Sequence, residues 1–275
     1  MIYIELNIPI TSAEEAEILT AELAEYPFES FTTDRTTLKA YMPHEELPEW
    51  KEEVDELLER YEISGARYIS IEDQNWNALW ESNFERVEVA RRLLIRAPFH
   101  EADPSFEMEV VIMPKMSFGT GHHSTTHLMS EAILDMDLSG KRGLDMGSGT
   151  GLLAIIAAKC GAEAVDAIDI DEWADENCRE NISTNHLEGR INPMLGDASL
   201  LAGRKYDFIL ANINRNILLK DMPSYAAALN PGGSLTISGF LKEDIEMLTA
   251  RAAELGLSHA ATREREGWIA LELKG

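Results

Sequence analysis

The chain reads as a doubly wound α/β domain carrying a small ferredoxin-like α+β domain at its N-terminus, and three observations lead there. From about residue 125 onward, short apolar runs alternate with longer helical patterns, as in a mostly parallel sheet covered on both faces. Ahead of this, the first seventy residues give strand, helix, strand, strand, helix, strand, the ferredoxin-like order. Third, an apolar strand ends in Asp145 and runs into Gly147, Gly149 and Gly151 before an apolar helical stretch. Sheets of this kind bind ligands at such turns.

The elements follow in order. Residues 1–8 alternate apolar and polar side chains, a strand signal. Ser12 caps a helix to about residue 25, with Glu15 completing a capping box. Residues 28–33 and 36–41 form two strands around an Asp34-Arg35 turn, residues 47–61 an acidic amphipathic helix, and residues 66–71 a strand. This gives a recognition domain over 1–65, a linker region over 66–90 and the large domain over 91–275. In the linker, Trp76 and Trp80 lie four apart on one helical face, suited to packing between domains. Residues 92–97 and 107–112 are strands leading into the large domain. Its own strands fall near 141–146, 164–169, 191–194, 206–211 and 233–238, and 257–262 with 268–273 make a closing antiparallel hairpin.

The glycine loop carries the chemistry. Alternating glycines let the backbone turn sharply and approach a ligand where a Cβ would collide, and N–H groups opening the next helix face an anionic group. A dinucleotide fingerprint wants its third glycine at 152, where this chain has Leu152. An acid followed by G-x-G-x-G is instead the pattern of S-adenosylmethionine sites, and Asp145 suits an ammonium beside a sulfonium. A plain strand-to-helix turn would explain the glycines alone. A second acid about twenty residues on, Asp169, ends the next strand where it can accept from both ribose hydroxyls, and this favours the cofactor reading. Asp171 is a helix N-cap.

Other residues converge on the same edge. Within residues 113–126, Gly119 and Gly121 flank Thr120 on a flexible turn leading into Ser124–Thr126, and such a segment can fold over a ligand as a lid, a threonine hydroxyl reaching its methionine end. His122, His123 and His127 lack a metal-ligand pattern, so no metal is expected. Asn212 ends the fourth strand, where its carbonyl can accept from an amine and orient the amine lone pair towards a methyl donor. The nucleic-acid amino methyltransferase pattern at that point has prolines, and Asn212-Ile-Asn lacks them. Asp197 meets the adenine amino group or caps its own loop, two readings that stay open.

Composition narrows the classes. With 275 residues and 45% hydrophobic content, a sizeable core can be buried. No run reaches a membrane span and the first residues lack a signal core, so a cytoplasmic protein is expected. Cys160 and Cys178, both in helical stretches without a Cys/His partner pattern, read as buried thiols of a reducing compartment. The net charge is -25, and residues 1–65 hold 17 acids against 4 Lys or Arg. Such a surface repels nucleic acid and steers a basic partner, although a merely solvated acidic face would look the same.

The set Phe-Gly-Thr-Gly-x-His-x-Thr-Thr (118–126), Leu-Asp-x-Gly-x-Gly-x-Gly-Leu-Leu-Ala-Ile (144–155), Ile-Asp-Ile-Asp (168–171) and Ala-Asn-Ile (211–213) resembles the ribosomal protein L11 methyltransferases. The Asn-Trp-Asn-x-x-Trp stretch and the small first domain are similar too, so the resemblance spans the chain. It implies a Rossmann-like class I S-adenosylmethionine-dependent enzyme that methylates lysine side chains and the N-terminal amine of a large-subunit ribosomal protein. By the family pattern Thr126, Gly147, Asp169 and Asn212 contact the cofactor; residue chemistry adds Asp145, Gly149 and Asp197, and Asn212 is the expected catalytic residue. Many relatives have Gly-Cys-Gly where this chain has Ser148, an isosteric change. A basic protein partner, no nucleic acid or membrane, and a monomer are expected. A small-molecule methyltransferase and a non-catalytic S-adenosylmethionine-binding module remain the competing classes.

Overall fold

Alternation at the N-terminus becomes β1 (Tyr3–Pro9), which buries Ile4, Leu6 and Ile8 and turns Tyr3, Glu5 and Asn7 away from the core. The structure, a computed structural model, describes residues 2–71, 84–115 and 119–275. Trp76, Trp80 and residues 116–118 of the segment before the glycine loop lie outside them. Two compact units divide the chain, Met1–Phe84 and Glu85–Gly275.

In the first unit, α1 (Ala13–Leu23) starts where Ser12 Oγ accepts from the Glu15 N–H at 3.1 Å. The expected capping box closes one residue early. Glu15 Oε2 accepts from the Thr11 N–H at 2.6 Å and from the Thr11 hydroxyl at 2.7 Å. β2 (Ser30–Thr33), β3 (Thr37–Pro43), α2 (Leu47–Arg60) and β4 (Arg67–Ile71) complete an antiparallel sheet of order β2-β3-β1-β4. That is the ferredoxin-like arrangement. Leu19 and Leu23 of α1 and Val54, Leu57 and Leu58 of α2 join Leu6, Ile8, Leu38 and Met42 in one core. The helices' outer surfaces expose Glu14, Glu17, Glu52, Glu53, Glu56 and Glu59. The first unit extends past the expected boundary at 65, because β4 pairs with β1 from Arg67 to Ile71 and residues 67–71 are therefore sheet rather than linker.

The second unit opens with a three-stranded sheet, β5 (Val87–Val89), β6 (Leu93–Arg96) and β7 (Met108–Val111), so the last expected linker residues belong here too. The large sheet runs β10 (Ile191–Leu195), β9 (Ala164–Asp169), β8 (Arg142–Met146), β11 (Tyr206–Asn212), β12 (Leu229–Leu241), β14 (Trp268–Lys274), β13 (Ser258–Arg265). The first five are parallel, and β14 and β13 add an antiparallel edge. Three helices, α3 (Ser124–Leu134), α4 (Leu152–Lys159) and α5 (Glu172–Thr184), pack on one face through Met129, Ile133, Ile155, Cys178 and Ile182. On the other face lie α6 (Arg215–Ala228) and α7 (Ile245–Glu254), with Leu218, Met222, Tyr225 and Leu248 against Leu144, Ile209 and Ile237. The chain winds outward from β8 to β10 and then returns to β11 on the other side of β8. The order therefore reverses between β8 and β11, the point at which such sheets leave a crevice beyond their C-terminal strand ends. No helix among the described residues is long and apolar enough to cross a membrane.

Candidate active site

At the end of β8, the Gly147 and Ser148 N–H groups both donate to the Ile168 carbonyl, at 2.8 and 3.1 Å, tying the loop to β9. Gly147 has φ of 73°, and a Cβ there would lie 2.3 Å from Ile213 Cγ2, so only glycine fits. The Gly149 N–H donates to Asp169 Oδ2 at 2.8 Å, while Asp169 Oδ1 accepts from the Asp171 N–H at 3.1 Å. Asp169 thus clamps the glycine loop from the neighbouring strand and still faces the crevice. Asp171 caps α5 through the Trp173 N–H at 2.8 Å, as its position ahead of the helix implied.

The crevice is a cavity of about 1150 Å³ in the second unit, walled by Gly147, Gly149, Asp169, Asp197 and Asn212 among others. Five of the seven residues singled out in the sequence therefore meet there. Asp145 does not. It is fully buried beneath the loop, where Oδ2 accepts from the Ala154 N–H of α4 at 3.0 Å and Oδ1 has no partner among the described residues. Burial pushes its carboxyl up to about 7, helped by the charge of Asp169 and opposed by the Ala154 hydrogen bond. The acid before the glycines organises the start of α4 rather than the cavity wall, because the loop backbone lies over it. Thr126 is also buried behind the wall, its Oγ1 accepting from Asn212 Nδ2 at 3.4 Å. Asn212 lines the cavity, and its Oδ1 is buried at the cavity edge without a partner among the described residues.

Of the two readings left open for Asp197 by its sequence position, the structure shows the loop cap, and it places the residue on the cavity wall. It caps the turn Ala198–Leu201 through the Ser199 N–H at 2.9 Å. Its carboxyl is held below the usual range, first by the hydrogen bond with the Ser199 side chain. The three histidines go to separate partners. His122 bonds to the Glu85 carbonyl at 2.9 Å, His123 caps α3 by accepting from the Thr125 N–H at 3.2 Å, and His127 pairs with Glu131 at 3.3 Å.

Several wall residues were invisible beforehand. Ile170 and Trp173 are 71% and 79% exposed, an apolar rim beside Asp169. The sequence offered Ile170 only as part of the Ile-Asp-Ile-Asp run and gave Trp173 no role. Lys220 and Asp221 reach the wall from α6, and His123 stacks edge-on against Trp268 at 4.8 Å between ring centres. Trp268 comes from the last hairpin, over fifty residues beyond Asn212, and no local pattern announces that meeting. At Gly239 a Cβ would lie 2.2 Å from the Ile213 carbonyl oxygen, so glycine there lets β12 pass close to the Asn212 corner. Four aspartates, at 169, 171, 197 and 221, face two lysines, at 115 and 220, which leaves the wall net negative and suited to a cationic ligand.

The family model described as ribosomal protein L11 methyltransferase matches residues 6–275. The chain belongs to that family. A ribosomal protein L11 methyltransferase of Porphyromonas gingivalis is 49% identical over 261 residues, covering 93% of this chain and 89% of the relative. One from Phocaeicola vulgatus is 40% identical over 280 residues, with 99% of both chains covered. The crystal structure of a ribosomal protein L11 methylase from Lactobacillus delbrueckii subsp. bulgaricus superposes with a TM-score of 0.65 at 27% identity, covering 69% of this chain and 98% of that one. Membership in the L11 methyltransferase family agrees with the reading of the glycine loop and the segment at 118–126, and the α/β class with its doubly wound sheet is the one expected.

Proposed function

We propose that this protein transfers methyl groups from S-adenosylmethionine to amines of ribosomal protein L11, at lysine side chains and the N-terminal amine. The observation that carries it is the cavity at the β8/β11 reversal, where Gly149, Asp169 and Asn212 converge in a chain of this family. The wall suits the cofactor. Asp169 spends one lone pair per oxygen on backbone N–H groups and keeps the others for ribose hydroxyls. Ile170 and Ile217 supply apolar surface, Asp197 an acceptor for an exocyclic amine, and the net negative wall suits an ammonium and a sulfonium. S-adenosylmethionine supplies an electrophilic methyl group.

The residues' part in transfer is largely positional. The unpartnered Asn212 Oδ1 accepts an N–H of the incoming amine and turns the lone pair towards the methyl. Thr126 Oγ1 holds the other end of that amide. A lysine amine, with an ordinary pKa of about 10.4, must lose its proton first, and withdrawal from water lowers that value. Orientation of the neutral amine then supplies much of the acceleration. The exposed acids of the first unit suit a basic partner of the large ribosomal subunit, met in the cytoplasm by a monomeric enzyme. Incubation with labelled S-adenosylmethionine and ribosomal proteins from cells lacking this enzyme tests the assignment. Label on L11 supports it, and label confined to small metabolites, or saturable cofactor binding without any transfer, overturns it.

A further inference from the structure

Asn177 and Asn181 of α5 and Asn185 at its C-cap recur every four residues and are buried, a polar stripe where an amphipathic helix would place apolar side chains. Each buried amide needs partners, and those of Asn181 and Asn185 join segments far apart in sequence. Asn185 takes both backbone groups of Val111, accepting from its N–H at 3.0 Å and donating to its carbonyl at 2.6 Å. Asn181 Oδ1 accepts from the Met113 N–H at 2.8 Å, and Asn181 Nδ2 donates to the Thr150 carbonyl at 2.9 Å. Thr150 is itself fully buried within the glycine loop, and its hydroxyl donates to the Gly119 carbonyl at 2.7 Å. Lys115, two residues past Met113, reaches the cavity wall and pairs with Glu180 of the same helix.

Thr150 is therefore a node. Its carbonyl is tied through Asn181 to Met113 and its hydroxyl to Gly119, so two points of the chain on either side of Lys115 hang on one residue of the loop. Neither Thr150 nor Asn181 lines the cavity. Resting on the nucleoside reading of that cavity, we infer that Thr150 and Asn181 are positioning residues which order the chain around Met113 and Gly119 together with the glycine loop, so that a nucleoside held by the loop also fixes the residues entering α3. The physical basis is that removing Thr150 or Asn181 from this buried network leaves a carbonyl or N–H unpaired, a cost met among the described residues at Asn177 Nδ2, whose amide oxygen accepts from Asn181 Nδ2 at 2.9 Å. Nucleoside contacts that stiffen Gly147 and Gly149 then act on Gly119 through Thr150, and linkage makes the effect reciprocal.

Hydrogen exchange with S-adenosylhomocysteine as the probe tests this in the full-length chain. In the wild type, the nucleoside slows exchange in both 143–151 and 119–126. Thr150→Val keeps the side-chain shape and removes the donor to Gly119. It retains protection of 143–151, loses it in 119–126, and weakens nucleoside binding roughly fivefold, the worth of one neutral hydrogen bond. Thr150→Ser restores both. Should Thr150→Val fail to fold, Asn181→Asp keeps the acceptor for Met113, removes the donor to Thr150, and gives the same separation of the two stretches for residues 108–115. Protection of every stretch in these variants as in the wild type overturns the inference. Absence of any nucleoside protection in the wild type overturns the functional reading of the cavity itself, a separate and recognisable outcome.

Discussion

Replacing Asp145 by asparagine isolates the buried acid beneath the loop. Its folded-state carboxyl stands at about 7 against an ordinary 3.8, so the folded protein binds a proton that the unfolded chain has released between those values. The stabilisation that follows is fully present at low pH and is lost as pH rises through the folded value. At about 1.4 kcal/mol per pH unit, the whole span corresponds to about 4 kcal/mol. Between pH 5 and pH 8.5 the loss is roughly 3 kcal/mol, since over a third of the span lies below pH 5. Asparagine can still accept from the Ala154 N–H and stays neutral throughout. Urea unfolding of both proteins at the two pH values gives the measurement. The variant's stability relative to the wild type should improve by roughly 3 kcal/mol from pH 5 to pH 8.5. A relative stability that does not move with pH refutes the placement of Asp145 as a buried, unpaired acid.

Other expectations follow from the same geometry. Asp169→Ala removes a carboxylate that accepts two backbone N–H groups at the cavity edge, and should weaken S-adenosylhomocysteine binding by roughly 10- to 100-fold in calorimetry, as expected for charged hydrogen bonds. Asn212→Ala leaves that binding within a few-fold but should lower kcat by roughly 100-fold in a steady-state transfer assay, since orientation is its contribution. Gly147→Ala forces a side chain to φ of 73° against Ile213 and should cost about 1–3 kcal/mol of stability in denaturant unfolding. Neutralising Glu52, Glu53, Glu56 and Glu59 should weaken association with L11 and make it less salt-sensitive while leaving nucleoside affinity unchanged; equal loss of both in titrations at two salt concentrations would refute separate roles.

The site was legible where function depends on local backbone. The strand-end acids and alternating glycines sit within a few residues of one another, and the strand boundaries expected at 164–169 and 206–211 agree with β9 and β11 to within a residue. The unit boundary was less legible. Residues 66–71 were read as a strand yet assigned to a linker, and only its ladder with Tyr3–Asn7 shows which sheet owns it. Asp145 carries the same lesson at side-chain scale. An acid at a strand end can point into the crevice or under the loop, and alternation along the strand does not say how the following turn covers it.

Sequence alone determined the class of this protein, because hydrophobic period, glycine spacing and acids at strand ends are properties of short windows of chain. It also determined the family, through the residues around 118–126 and 144–155. Tertiary structure decided which of those residues share a surface. Asp197, Lys220 and Trp268 reach the cavity only because β8 and β11 are neighbours across a reversal of strand order. Burial, which sets the charge of Asp145 and the hydrogen bonds of Thr150 and Asn181, depends on contacts between residues as many as 68 apart, and no local pattern encodes them.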